Sequence, residues 1–300
     1  MKWWNSFLLF CGLVMLGICP VEAGHAKNLY RLYKNALADS VFRIPDTKEL
    51  HDAQTIFNML FNGLYTDRLM MLTEKHHFIL ERVSIGGKLY LIMREEESHK
   101  TGRGFYLFPS EPVSGRNALQ MPHGVKDIHT GRIGIALFLE GDFNGAALNS
   151  VPRHYKQGAE TVTADLADFS QSYFIAFSRS YALNFPEGYM IQLHGFSAGK
   201  RKTRAGSESV FIVSPGIRSR DHVLEKFDRC LENNYGVISG LYPLEVRELG
   251  GTQNRIGKVL REMGHKRFLH LEINRNMRNQ MVKAQHLRGK LIKCIREMDQ

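Results

Sequence analysis

Three short segments of this chain combine histidine with acids and arginines of the kind that hydrolytic metal chemistry uses. The first is Pro122-His123-Gly-Val-Lys-Asp127-Ile-His129-Thr130-Gly131, the second Gln192-Leu-His194-Gly195, and the third His270-Leu-Glu272-Ile-Asn-Arg275-Asn-Met-Arg278. A hydrolytic zinc site needs two or three nitrogen or oxygen ligands around an open tetrahedral position. It also needs a carboxylate that takes a proton from the attacking water. His123, Asp127 and His194 are ligands of that kind, and Zn2+ is the cofactor they suit. Glu272 stands in an apolar run, a placement that favours a general base. Arg275 and Arg278 are able to clamp a substrate carboxylate or polarise a carbonyl.

Each residue also has a plainer reading. A histidine ending an apolar run, as His194 does, is often a hydrogen-bonded core residue. His123 and Asp127 fit a loop pair in which the aspartate caps the next turn. His129 is an alternative ligand to Asp127, or orients another ligand from behind it. Glu272 fits a buried ion pair with Arg275. Arg278 fits a solvated helix opening, and Arg153-His154 surface charge.

The elements that must position these residues alternate in type. Gly188 to Ser197 reads as a buried central strand delivering His194 to its carboxyl end. Strands are expected at Lys88–Met93, Gly104–Pro109, Asn117–Met121, Ala146–Val151, Ser209–Val213, Val237–Tyr242 and Lys266–Ile273. Asp46 to Glu49 opens a helix, with the aspartate capping and the glutamate reaching back. Further helices are expected at Tyr173–Phe185, Arg220–Asn233 and Ile256–Met263, with one final helix from Met277. Residues 65–85 are ambiguous, and 24–45 read as a polar arm. Gly250-Gly251-Thr252 reads as a tight connection, with anion binding the alternative. The alternation predicts an α/β domain, a mixed sheet sandwiched by helices. In such sheets sites gather at the carboxyl ends of strands, where the polar candidates stand. The expected division is a leader at 1–23, an arm and helical segment at 24–85, and an α/β hydrolase domain at 86–300.

Composition narrows the setting. The chain has 300 residues, 43% of them hydrophobic, which is ordinary globular material. Met1-Lys2-Trp3-Trp4, a short apolar core and Ala23 make a secretory signal peptide, so the protein is expected in the periplasm or secreted. Cys19 follows Ile18 rather than a small residue, which argues against lipid attachment. No later segment is long and apolar enough to span a bilayer. Cys230 and Cys294 fall on apolar helix faces and read as two buried thiols, with one disulfide the alternative. The net charge of +10 is spread along the chain, with a concentration at Lys200–Arg204 and along the last helix. Without an aromatic-studded basic module this does not indicate nucleic acid. Anionic polymers, carboxylate substrates or a membrane surface suit it better.

Pro122-His123-Gly, then Asp127 and Thr130, Arg153 after a strand, Gln192-Leu-His194-Gly195, and Leu271-Glu272-Ile273-Asn274-Arg275 come in the order seen in the N-formylglutamate amidohydrolase group. Across residues 104–280 the chain resembles that group, which looks related to the poly-γ-glutamate hydrolases and zinc carboxypeptidases. The resemblance implies a three-layer, phosphorylase/hydrolase-like α/β/α fold with one zinc ion. It implies metal-binding roles for His123, His194 and Asp127, a catalytic role for Glu272, and substrate contacts at Arg153 and Arg275. The chain departs from the group in lacking a clear His-x-x-Glu and in having Ser150-Val-Pro-Arg153-His154 after the second strand. The expected activity is hydrolysis of an amide or peptide bond in a carboxylate-bearing substrate, such as a cell-wall peptide, a γ-glutamyl polymer or a small peptide. The alternative is a non-catalytic protein that binds an anionic polymer on a decayed hydrolase scaffold.

Overall fold

A computed structural model describes residues 23–37, 42–157 and 160–299. The signal-peptide expectation falls largely outside them. Among the described residues no helix is long and apolar enough to cross a membrane. The described residues begin with helices α1 (Ala23–Asn35), α2 (Thr47–Phe61) and α3 (Asp67–Lys75), then strands β1 (Phe78–Ile85), β2 (Lys88–Glu95), β3 (Phe105–Pro109) and β4 (Ala118–Met121). Next come α4 (Thr130–Glu140), β5 (Gly145–Leu148), the hairpin β6 (His154–Gln157) and β7 (Glu160–Thr163), α5 (Tyr173–Asn184) and β8 (Met190–Phe196). The remainder is α6 (Arg204–Glu208), β9 (Phe211–Ser214), α7 (His222–Tyr235), β10 (Ser239–Leu241), α8 (Arg255–Glu262), β11 (Phe268–Asn274), α9 (Arg275–Met281) and α10 (Gln285–Glu297).

Nine strands form one mixed sheet in the order β1-β2-β3-β5-β4-β8-β11-β9-β10. Strands β5, β4, β8 and β11 are mutually parallel, so their carboxyl ends open on one edge. β3 and β9 flank them antiparallel. One sheet face carries Leu107, Leu119, Leu193 and Leu271 into a core with α1, α4, α7, α9 and α10. The other carries Tyr106, Ala118, Met190 and Phe268 into a core with α2, α5 and α8. The expected α/β class with a mixed sheet between helices is what the chain adopts.

The differences have local causes. Residues 65–85 resolve into α3 and β1, and the expected boundary at 85 falls at the hairpin turn between β1 and β2. The expected arm contains α1, whose Leu29 and Tyr33 are buried against the core that includes α4. Asp46 caps α2 by accepting from Glu49 N at 2.8 Å. Glu49 does not reach back; it pairs with Arg43 and Arg103 instead. Helix α4 gave no periodic signal because it is buried nearly all round, including Ile133, Ile135, Leu137 and Leu139; a helix enclosed on every side has no polar stripe. The single final helix is two, α9 and α10, turned at residues 282–284.

The cysteines correct the expectation of two free thiols. Cys230 on α7 and Cys294 on α10 form a disulfide, with their Cα atoms 5.7 Å apart. Both face the interior where these two helices pack against each other. A separation of 64 positions gives no local sign of that pairing.

Candidate metal centre

His123 stands just past the carboxyl end of β4, where the chain folds into a single turn. Asp127 N donates to His123 O at 2.8 Å, and Thr130 donates to Asp127 O from both its N and Oγ1. That turn sets His123 and Asp127 side by side. His194 and Glu272 arrive differently: parallel register places Glu272 directly beside His194 and His270 beside Gln192. Side chains two apart on a strand share a face, so His194, Gln192, His270 and Glu272 project together.

Three donor atoms converge. His194 Nδ1 and His123 Nδ1 are 3.2 Å apart. Asp127 Oδ2 lies 3.4 Å from His123 Nδ1 and 3.8 Å from His194 Nδ1. Ligands bound to one tetrahedral zinc at its usual bond lengths sit about 3.4 Å from one another. The spacing of this His2Asp set is therefore compatible with a single metal ion of zinc's size held by all three.

The outer nitrogens of both imidazoles are held. His123 Nε2 lies 2.9 Å from Asp165 Oδ1, and Asp165 Oδ2 lies 2.5 Å from Arg153 Nε. His194 Nε2 lies 3.2 Å from Gln192 Oε1. Asp127 Oδ2 also accepts from Gly195 N at 3.0 Å. Charge follows this arrangement. Burial alone would lower the His123 pKa, but hydrogen bonds and charges from Asp127 and Asp165 raise it to about 9. Burial alone would raise Asp127, yet the two histidines hold it well below the ordinary carboxylate range. Burial, reinforced by neighbouring His270, lowers His194 to about 4.

A second trio shares His194. His270 Nε2 lies 3.5 Å from Glu272 Oε1, and the His194 and His270 rings are 4.2 Å apart. Glu272 Oε2 and His270 Nδ1 are buried without a hydrogen-bond partner. A buried carboxylate oxygen without a donor is costly, and such groups concentrate at functional sites. A third trio, His77, Glu96 and His99, lies partly exposed near the base of the β1–β2 hairpin.

The site opens into a cavity of about 740 Å³ lined by acids of the centre and by Lys126, Arg153, Lys200, Arg201, Arg275 and Arg278. The Gly250-Gly251-Thr252 turn forms part of its wall. Arg275 is exposed at the rim and has no hydrogen-bond or ion-pair partner among the described residues. Arg153 reaches the cavity but is engaged with Asp165. Arg278 is buried and donates to the carbonyls of Ile273, Ile128 and Phe196. It ties β8 and β11 to the turn before α4. Its guanidinium lies over Gly195, where a Cβ would come within 2.4 Å of it. His129 opens α4 with φ +78 and joins neither the donor trio nor the cavity wall.

The sequence expectations do not include Asp165, His270 or the Gln192 side chain, which the fold brings into the site. Asp165 lies between β7 and α5 in no recognisable motif, so only folding reveals it. His270 and Gln192 carried a usable signal, since each stands two residues before a singled-out residue on the same strand. No family model matches this chain, and no curated protein matches it.

Proposed function

We propose that the chain is a zinc-dependent hydrolase of an amide or peptide bond in a carboxylate-bearing substrate. The observation that carries the reading is the spacing of His123 Nδ1, Asp127 Oδ2 and His194 Nδ1, at 3.2, 3.4 and 3.8 Å. The unpartnered Glu272 oxygen beside this trio supports it. Zinc, when bound, supplies a Lewis acid that polarises the carbonyl and eases deprotonation of water.

The chain's own residues do the rest. Glu272 takes the proton of the attacking water on Oε2 and returns it to the leaving amine. Arg275, free at the rim, holds a substrate carboxylate, and Lys126 and Lys200 add to the attraction. Arg153 stabilises the oxygen that gains charge, from a position fixed by Asp165. Peptidoglycan peptides, γ-glutamyl polymers and small peptides carry the required carboxylates. A periplasmic or secreted location fits, because the Cys230–Cys294 bridge suits an oxidising compartment.

Zinc titration followed by calorimetry tests the metal half of this reading. The wild type takes up one zinc tightly, and His123→Ala and His194→Ala each abolish tight uptake while leaving the fold intact by circular dichroism. Absence of tight zinc from the wild type sinks the reading and favours the non-catalytic binding protein.

A further inference from the structure

A chain of buried amides runs beneath the candidate metal centre, and its direction is fixed at both ends by backbone groups. At one end Asn254, the N-cap of α8, accepts from Gly257 N on Oδ1 at 3.1 Å. A backbone N–H can only donate, so the other atom of this amide is Nδ2. Asn254 Nδ2 donates to Gln192 Oε1 at 2.7 Å. Gln192 Nε2 then donates to Gln120 Oε1 at 2.8 Å, and Gln120 Nε2 to Ser178 Oγ at 2.9 Å. At the far end Ser178 Oγ donates to Phe174 O at 2.7 Å, and a carbonyl can only accept. Gln120, Gln192 and Ser178 are fully enclosed, and Asn254 nearly so. The usual ambiguity between amide oxygen and nitrogen is absent here, because reversing one member would set donor against donor.

The consequence falls on His194. Its Nε2 faces Gln192 Oε1, an acceptor, at 3.2 Å. A neutral imidazole facing an acceptor carries its proton on that nitrogen. Its Nδ1 is then a bare lone pair, directed at His123 Nδ1 and Asp127. The nearest carboxylate oxygen, Asp127 Oδ2 at 3.8 Å, is too far to draw a proton onto Nδ1.

We propose that Asn254, Gln192, Gln120 and Ser178 are positioning residues that lock His194 as its Nε2–H tautomer and so keep Nδ1 available to a metal. The proposal rests on the metal-site reading above for its purpose, but the tautomer is a property of the metal-free protein. It reaches from α8 through β8 and β4 to α5, so two of the helices on that sheet face set the ligand. Outer partners of ligating histidines contribute roughly ten- to hundred-fold to metal affinity.

The test reverses the chain without touching His194. Asn254→Asp keeps the helix cap, for which the two residues are near-equal, but presents a second oxygen to Gln192. Gln192 and Gln120 then turn over, Ser178 donates to Gln120, and Gln192 offers an N–H to His194 Nε2. Nitrogen-15 spectra of the metal-free wild type are expected to show His194 protonated at Nε2, and those of Asn254→Asp at Nδ1. Zinc affinity of Asn254→Asp falls at least tenfold in spite of the added negative charge. Gln192→Met, which adds no charge and removes the acceptor, gives mixed tautomers and a roughly ten- to hundred-fold loss. A wild-type tautomer and wild-type zinc affinity in either folded variant overturns the proposal. Should Asn254→Asp fail to fold, Gln192→Met decides alone. A wild type that binds no zinc overturns the proposed function, while the tautomer spectra still judge the lock.

Discussion

Glu95 and Glu272 are both buried near carboxyl strand ends on the same edge of one sheet, and their surroundings are opposite. β2 is antiparallel to β3 and β3 to β5, so β2 runs with the central parallel strands. Glu95 Oε1 accepts from Thr101 N and Oγ1, and Oε2 from Gly102 N and Arg103 N at 3.1 Å each. Arg103, itself paired with Glu49, stands 3.8 Å from Oε1. Burial still raises the Glu95 pKa, with the Thr101 and Arg103 donors pulling it back. Glu272 has one neighbour at 3.5 Å for Oε1 and none for Oε2. A buried carboxylate with every lone pair engaged anchors a loop, here the one from 96 to 104. A buried carboxylate left short of donors is available to a ligand or a proton. Burial alone does not separate structural from chemical acids; the count of donors does.

The largest effect that sharpens this contrast is on turnover. Glu272→Gln is expected to keep zinc and the fold but to lower turnover of the wild type's amide substrate by about 10²–10⁴-fold. Its melting temperature stays level or rises, because no hydrogen bond to Oε2 is lost. Retained turnover would remove Glu272 from the chemistry. Next in size, Glu95→Gln turns an amide N–H₂ toward backbone donors and strips Arg103 of a partner. It is expected to destabilise the fold by about 3 kcal/mol in urea unfolding, with zinc affinity unchanged. Equal stability for the two variants would erase the comparison.

The smallest effect is a pH dependence. If zinc binds as proposed, it must displace the proton that His123 holds up to about 9, whereas His194 is already neutral above about 4. Apparent zinc affinity should rise about tenfold per pH unit between 6.5 and 9, then level off. The metal-free fold moves the other way in that window. A His123 pKa raised above its ordinary 6.5 adds stability that is complete below 6.5 and lost as pH climbs to about 9. His194, lowered from 6.5, affects stability only below this window. A flat affinity profile from calorimetry would show that His123 is not protonated in the metal-free protein.

Much of this protein is written locally. Alternating strand and helix periods gave the α/β class, because which faces are apolar follows from neighbours along the chain. The Asp46 cap was legible for the same reason, as was the placing of His123, His194 and Glu272 near strand ends. What stayed hidden is non-local. α4 was missed because a fully enclosed helix shows no period, and the Cys230–Cys294 bridge because it depends on how α7 meets α10. Residue type left His129 as an alternative to Asp127; a single turn sets Asp127 beside His123 and places His129 at the helix opening. Arg278 reads from the sequence as a clamp or a solvated helix opening; the fold buries it and gives it three carbonyl partners that no local pattern names. Local pattern is enough to say which side chains stand near which strand ends. Which of their atoms converge depends on the assembled fold, because parallel register and layer packing bring together residues that share no neighbours in the chain.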